Sequence, residues 1–420
     1  HKKLFNIMKK TQLIFAGIAS LLFSNALFSQ EKPKEWDVSL YGFARADYIF
    51  DSRQSAQVRE YHLNLYPLDK KLDANGDDIN ATGASNFLSV VSRLGVNFKG
   101  PNVWGAKASG KLEGDFFGNT QESIGLFRLR HAYAQLAWEK SSLTLGQTWY
   151  PSFVPEVFPG VANFSTGIMF NPFGWVGQIR FRQSLTSNLS LDLVAYKDRE
   201  FQAPVVSGNA NNSPTFNSTT PTLHAQLQYK TKNVIAGVGA EYQSLKPVIT
   251  SGGLASDEKL NSTMLMGYFK YSNENVVAKF YGISGGNLHH LVMLGGYASY
   301  AETNGIDSYK PTKTSAFWVD IASNKPSVAP GVFFGYTKNS GLEDANYKSL
   351  YVRGVSGTRV VDNVWRASAR VDFKQNKFKI SPELEYTAAT WGDLKTDATS
   401  GNNETNVGNF RALVSASYSF

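Results

Sequence analysis

The chain has 420 residues, 42% of them hydrophobic, 18% charged and 13% aromatic, and a formal charge of +8. Its mean hydropathy is negative, which argues against a bundle of membrane helices, and it has no cysteine for disulfide or thiolate chemistry. Basic residues are interleaved along the chain rather than clustered, so nothing calls for nucleic acid.

Residues 1–7 precede Met8 and read as a non-native or misassigned extension. From Met8, Lys9 and Lys10 give a positive start, 13–23 an apolar run, and 24–30 a small and polar end. This is a secretory signal peptide with cleavage near Ser29 or Gln30. The expected division is 1–29, removed, and 30–420, a single barrel domain. Losing Lys2, Lys3, Lys9 and Lys10 lowers the formal charge from +8 to +4. The apolar run falls short of the ~20 residues of a spanning helix, and no second such run follows. A mature chain that enters a membrane does so as strands.

Residues 36–51 alternate, with Leu40, Gly42, Ala44, Ala46 and Tyr48 on one side and Arg45 and Asp47 on the other. Residues 52–86 form a long polar loop. Within it, 73–78 (DANGDD) resembles the start of a calcium loop, but the closing glutamate is missing, so an Asx-rich turn is expected and no metal site. A strand over 86–99 carries Leu88, Val90, Leu94, Val96 and Phe98 outward and Arg93 inward. After a turn at 100–102, residues 103–117 set Trp104, Ala106, Ala108, Leu112 and Phe116 against Lys107, Lys111, Glu113 and Asp115. In 124–138, Phe127, Leu129 and Tyr133 oppose Arg128 and Arg130, and His131 falls on the lipid side. Residues 150–173 form a second long connection, rich in Pro, Gly and Phe.

Short and long connections then alternate to the end, the long ones near 199–220, 245–260, 285–311, 339–361 and 392–405. A transmembrane barrel has this property, with tight periplasmic turns and long outer loops. The count is about 16 antiparallel strands, with 288–300 placed inside the sixth long loop; pairing it with a missed neighbour would give eighteen. In 407–420, Phe410, Ala412, Val414, Ala416, Tyr418 and Phe420 share one face, with Leu413 the intruder on the polar one. Tyr418 and Phe420 make the terminal aromatic signal that outer-membrane assembly machinery reads. Trp36, Tyr41, Trp104, Trp138, Trp149, Trp175, Trp318, Trp365 and Trp391 are expected as interfacial girdles. The fold class is therefore an all-β transmembrane antiparallel barrel in the outer membrane of a Gram-negative bacterium.

A barrel of this size leaves an aqueous channel. Its expected lumen face carries Arg45, Arg93, Lys107, Lys111, Arg128, Arg130, Arg180, Arg182, Arg366, Arg370 and Arg411, with the acids Asp47, Glu113, Asp115, Glu383 and Glu385. Arg128/Arg130 and Arg180/Arg182, each two residues apart, are read as a basic ladder on neighbouring strands that favours anionic solutes; the alternative is that these arginines pair with lumen acids. The 150–173 connection is too apolar for an exposed loop. Folded inward, it narrows the pore through Pro155, Glu156, Phe158, Asn163 and Phe164. No Gly-x-Ser-x-Gly, His-Glu-x-x-His or P-loop occurs, so neither enzyme activity nor a cofactor is expected. The expectation is a porin for passive diffusion of small hydrophilic solutes; the alternative is a surface-binding barrel, receptor or adhesin platform, with a closed lumen.

Several short stretches resemble the DcaP-like trimeric outer-membrane porins: 40–47 (LYGFARAD), 92–95 (SRLG), 110–116 (GKLEGDF), 128–133 (RLRHAY), 145–149 (LGQTW) and the terminal aromatic strand. The resemblance implies a sixteen-stranded homotrimeric channel for small, often negatively charged solutes, embedded in outer-membrane lipid. Members of that family can carry a periplasmic coiled coil before the barrel; here only 31–35 separates the signal from the first strand. Small outward residues Ala44, Ala46, Ala106 and Ala108 fit close subunit packing.

Overall fold

The computed structural model describes residues 36–199 and 213–420; the expected signal peptide and part of the 199–220 connection lie outside them. Sixteen strands close into one antiparallel barrel. They are β1 (Asp37–Asp51), β2 (Ala84–Leu88, continued by Arg93–Lys99), β3 (Lys107–Asp115), β4 (Arg128–Ala137), β5 (Ser141–Trp149), β6 (Trp175–Ser184), β7 (Leu189–Lys197) and β8 (Thr222–Lys230). The second half has β9 (Val234–Leu245), β10 (Leu260–Ser272), β11 (Val276–Gly286), β12 (Lys313–Ser323), β13 (Val328–Gly341), β14 (Arg359–Gln375), β15 (Phe378–Asp393) and β16 (Thr405–Ser419). Each pairs with its neighbour in sequence, and β16 returns to β1, from Phe43 opposite Ser419 to Asp51 opposite Arg411. Closure leaves no open sheet edge, which lipid requires.

The sequence alternation explains which side faces which solvent. On β16, Phe410, Val414 and Tyr418 are exposed outside, while Asn409, Arg411, Leu413 and Ser415 are buried inside. Leu94, Leu112, Ile179, Leu265, Phe280 and Leu384 extend the outer apolar belt around the ring. At the seam, the Phe420 backbone N–H donates to the Gly42 carbonyl at 3.1 Å, and the Phe420 ring occupies the space a Gly42 Cβ would need.

Long and short connections segregate to opposite rims. Residues 288–300 stay out of the barrel wall, as expected. They form a 3-10 turn (Leu288–Leu291) and a strand (Gly295–Tyr300) paired with Ser308–Pro311 and Ser349–Arg353 in a separate three-stranded sheet. The count is therefore sixteen rather than eighteen. Val355–Ser356 merely folds back on the start of β14. In the first long loop, Asp73 caps the backbone N–H groups of Asn75 and Asp77 at 2.8 and 2.9 Å, an Asx turn.

Four local expectations need correction. The 86–99 strand is interrupted at 89–92, where the Ser92 N–H donates to Ser89 O, so Phe87 points out and Leu88 in. Residues 103–106 are a hairpin turn rather than strand: Trp104 and Gly105 have φ of 50° and 76°, as a type I′ turn demands. Trp104 is exposed at the short-turn rim, where its carbonyl accepts from Trp138 Nε1 at 3.0 Å. The girdle is also incomplete. Trp175, Trp318 and Trp391 are buried inside the barrel, Trp149 is stacked on Trp175, and Tyr41 turns inward to donate to Glu113 at 2.7 Å.

The fourth correction is a β-bulge. Glu113 opposes His131 while Gly114 opposes Leu129, so Arg130 is one residue too many on β4. The inward phase shifts there, and His131, expected on the lipid side, is buried inside with Nδ1 3.0 Å from Thr148 Oγ1. Tyr133 follows it inward, its ring 6.2 Å from that of His131. Opposite Tyr133 stands Gly146, with φ of 127° and the Ala132 carbonyl 2.2 Å from where a Cβ would lie. Gly146→Ala is expected to cost roughly 1–3 kcal/mol. A folded band that resists heating in dodecyl sulfate as well as the parent would contradict this.

Candidate functional site

The barrel interior is built largely by its outer loops. The connection between β5 and β6 is apolar and folds inside, where Tyr150, Val157, Ile168, Met169 and Phe170 are fully covered. Its partner surface is the inner face of β10–β13, whose Met264, Met266, Tyr281, Ile283, Trp318 and Phe333 belong to the same cluster. Polar contacts fix the register: Tyr281 Oη donates to Ser152 O at 2.8 Å, and Trp318 Nε1 donates to Asn171 Oδ1 at 3.0 Å.

The five loop residues named from sequence occupy different positions. Pro155 is exposed, Glu156 and Phe158 are half-buried, and Asn163 and Phe164 are buried. Glu156 accepts from Gln228 Nε2 at 2.9 Å and pairs with Lys230, while Lys270 Nζ donates to its carbonyl at 3.1 Å. Lys279 Nζ donates to Phe158 O at 2.9 Å. Across the lumen, Arg45 Nη2 donates to Ala162 O at 2.7 Å, and the Ala162 N–H donates to Glu383 Oε2 at 2.5 Å. Asn163 Nδ2 reaches Glu385 Oε2 at 3.4 Å. The loop thus spans the lumen, anchored at both walls. Lys230, Lys270 and Lys279 were missed from sequence; β10 is apolar on both faces, so alternation does not say which side Lys270 takes.

Two further loops descend beside it. A hairpin of Ser55–Val58 and Leu63–Pro67 hangs from the first loop, held by Arg366 Nη2 to Asn64 O at 2.8 Å, Arg411 Nη2 to Tyr61 O at 2.9 Å and Trp391 Nε1 to Pro67 O at 3.0 Å. His62 at its tip sits between the Phe117 and Phe164 rings, and burial pushes its pKa down to about 4. From the sixth loop, His290 stands 3.7 Å from Glu241 and 3.4 Å from Tyr196 Oη. Burial disfavours its charged form, but the carboxylates of Asp198 and Glu241 outweigh this and hold the imidazole above its ordinary value.

The lumen charges are mostly paired. Arg128 grips Asp115 through Nε and Nη2 at 2.7 and 3.2 Å, and Arg130 reaches Glu113 at 2.7 Å and Asp115 at 3.1 Å. Both guanidiniums stack on the Trp175 ring, 4.7 and 4.0 Å from its centre. Other pairs are Arg45–Asp47 (2.8 Å), Arg182–Asp192 (2.6 Å), Arg366–Glu385 (3.3 Å), Arg370–Asp320 (2.8 Å) and Arg411–Asp51 (2.8 Å). Arg93 and Lys111 share Glu113 more loosely, at 3.5 and 3.9 Å.

The expected basic ladder is not continuous, because β5 separates Arg128/Arg130 on β4 from Arg180/Arg182 on β6. Only the second pair stays accessible. Among the described residues Arg180 and Lys107 make no ion pair; Arg180 Nε donates to Gln178 Oε1 at 3.0 Å, and Lys107 is exposed near the short-turn rim.

A closed barrel of sixteen strands, apolar outside and charged within, with loops folded into its mouth, is the architecture of an outer-membrane channel of the porin class. Residues 22–309 match the family described as DcaP outer membrane protein, and the chain belongs to it. The family and fold locate the protein in the outer membrane of a Gram-negative bacterium. No curated protein sequence matches the chain. Among solved structures, it resembles the outer membrane channel DcaP of Acinetobacter baumannii, with 19% identity over 92% of this chain and 97% of that one and a TM-score of 0.65. An anion-selective porin from Comamonas acidovorans is similar at 14% identity over 92% of this chain and 100% of that one, with a TM-score of 0.52. A trimer form of OmpT from Vibrio cholerae is similar at 11% identity over 92% and 100% of the two chains, with a TM-score of 0.53.

Proposed function

We propose that the mature protein, from about residue 30 after signal removal, is a homotrimeric channel for passive diffusion of small hydrophilic anions. One observation carries the anion preference. The side chains of Arg93, Lys111 and Arg182 are 22, 27 and 41% exposed, while their partners Glu113 and Asp192 are 4 and 7% exposed. Each pair turns its cation to the water and hides its acid in the wall. Lys107 and Arg180 add accessible positive charge without a paired carboxylate. A passing carboxylate or phosphate meets guanidinium forks suited to bidentate contact. The anion-selective porin of similar fold supports the same reading.

In this reading the β5–β6 loop is the constriction, with Glu156, Phe158 and Asn163 at its edge and Pro155 and Phe164 stiffening it. Subunits pack through the small outer residues Ala44, Ala46 and Ala108, and Tyr418 and Phe420 present their aromatic rings to the assembly machinery. Reversal potentials in a planar bilayer under a salt gradient are expected to have the sign of anion selectivity. Arg180→Glu with Lys107→Glu is expected to lower the chloride-to-potassium permeability ratio by roughly twofold or more. Cation selectivity in the parent protein ends the proposal. One observation favours the rival reading of a closed, surface-binding barrel: the first long loop, the β5–β6 loop and the 285–311 loop share a single apolar cluster across the mouth. Absence of any unitary current would decide for it.

A further inference from the structure

The outer face of β6–β10 carries a recess that the channel reading leaves unused. Its floor is made of small residues in register, Ala225 opposite Ala240 on β8 and β9, with Ala195 on β7 beside them. Larger apolar side chains, Ile179, Leu223 and Leu265, stand around it, 58, 48 and 66% exposed. The recess is shallow and open, with a volume of about 700 Å³.

Its upper end runs on into a second pocket. Tyr242, Thr263, Met264 and Leu265 line both this recess and a polar pocket above it. Tyr242 Oη donates to Asn261 Oδ1 at 3.0 Å there, as expected of an aromatic at the water interface. The pocket opens where β11 ends at Gly286 and the chain turns inward, leaving a notch in the wall beside the Ser308–Pro311 segment. Lys310 and Lys313 reach into it, paired with Asp344 and Glu343 and still about half exposed.

We propose that this composite site binds one phosphorylated, polyacylated sugar lipid of the outer leaflet. An acyl chain lies on the alanine floor, and the headgroup sits in the notch. The chemistry matches at both ends. Two lysines meet phosphate; the two carboxylates bind sugar hydroxyls or share a divalent cation with the phosphate. A purely apolar groove would accept any tail, but the attached charged pocket selects the head. The position suits lipid rather than a neighbouring subunit, since the small-residue face assigned to subunit packing lies on β1 and β3, away from β8. Tyr229, Val238, Gly267 and Phe280 form a second shallow recess toward the other rim and lengthen the track for a chain.

The test is native mass spectrometry of the full mature protein in detergent, stripped of lipid and then titrated with diphosphoryl Kdo2-lipid A, its dephosphorylated form, or phosphatidylglycerol. The parent is expected to hold one diphosphoryl lipid in preference to the other two. Ala225→Phe with Ala240→Phe fills the floor and is expected to weaken binding about tenfold, as losing burial of two methylenes would. Should that variant not fold, Ala225→Leu serves in its place. Lys310→Gln with Lys313→Gln is expected to abolish the preference for the diphosphoryl form and leave the dephosphorylated lipid unaffected. Equal binding by parent and variants, or equal binding of phosphatidylglycerol, overturns the proposal. So does loss of oligomer in the floor variant, which would make the recess a subunit contact.

Discussion

Deletion of residues 155–168 is expected to raise single-channel conductance by about twofold or more, because a sixteen-strand ring is wide enough for an open aqueous lumen once nothing crosses it. The segment spans the interior, tied to Lys230, Lys270 and Lys279 on one side and to Arg45, Glu383 and Glu385 on the other. Its removal frees three lysines and uncovers the apolar inner face of β10–β13. The variant should therefore conduct more and be less heat-resistant. Unchanged unitary conductance would mean that current does not pass this loop, and would move the constriction to the hairpin of Ser55–Val58 and Leu63–Pro67.

A second large effect is expected from Asp115→Ala. The Asp115 carboxylate is fully buried, accepts two bonds from Arg128 and one from Arg130, and caps the Phe117 N–H at 3.1 Å. Deleting it takes from the two guanidiniums stacked on the Trp175 ring a carboxylate that both of them contact. Breaking a buried pair from one side typically costs about 3–5 kcal/mol, the penalty of stranding the charge. Asp37→Ala at the exposed Lys99–Asp37 pair should leave stability unchanged, since both side chains are in water. Equal midpoints for the two variants in denaturant would show that the β3–β4 charge cluster does not support the wall.

The barrel was legible because lipid imposes a rule that every strand must obey: alternate residues face hydrocarbon. Phe410, Val414 and Tyr418 against Arg411 and Ser415 is that rule written in one strand, and the segregation of loop lengths supplied the topology. What alternation could not supply was anything that interrupts it. The extra residue at Arg130 turned His131 and Tyr133 inward without any mark in the residue pattern. The inner wall was harder still. Where a loop folds inside, the lumen face needs apolar cover, so Met264, Met266 and Tyr268 on one side of β10 and Leu265 and Phe269 on the other give no contrast to read. Charge alone did not tell which arginines lie sealed beneath loops, like Arg128, and which stay wet, like Arg182.

The pairing of β1 with β16 has a consequence for biogenesis. The first strand of the barrel to emerge from the ribosome must wait for β16, 360 residues behind it between Asp51 and Arg411, before either has its full set of partners. Until β16 is delivered, the export intermediate carries two unsatisfied edges that invite pairing with other chains. Loss of the β16 residues that pair with β1, even of the few at Ser415–Ser419, would thus yield a sticky, uninsertable product for periplasmic proteases rather than a slightly narrower pore.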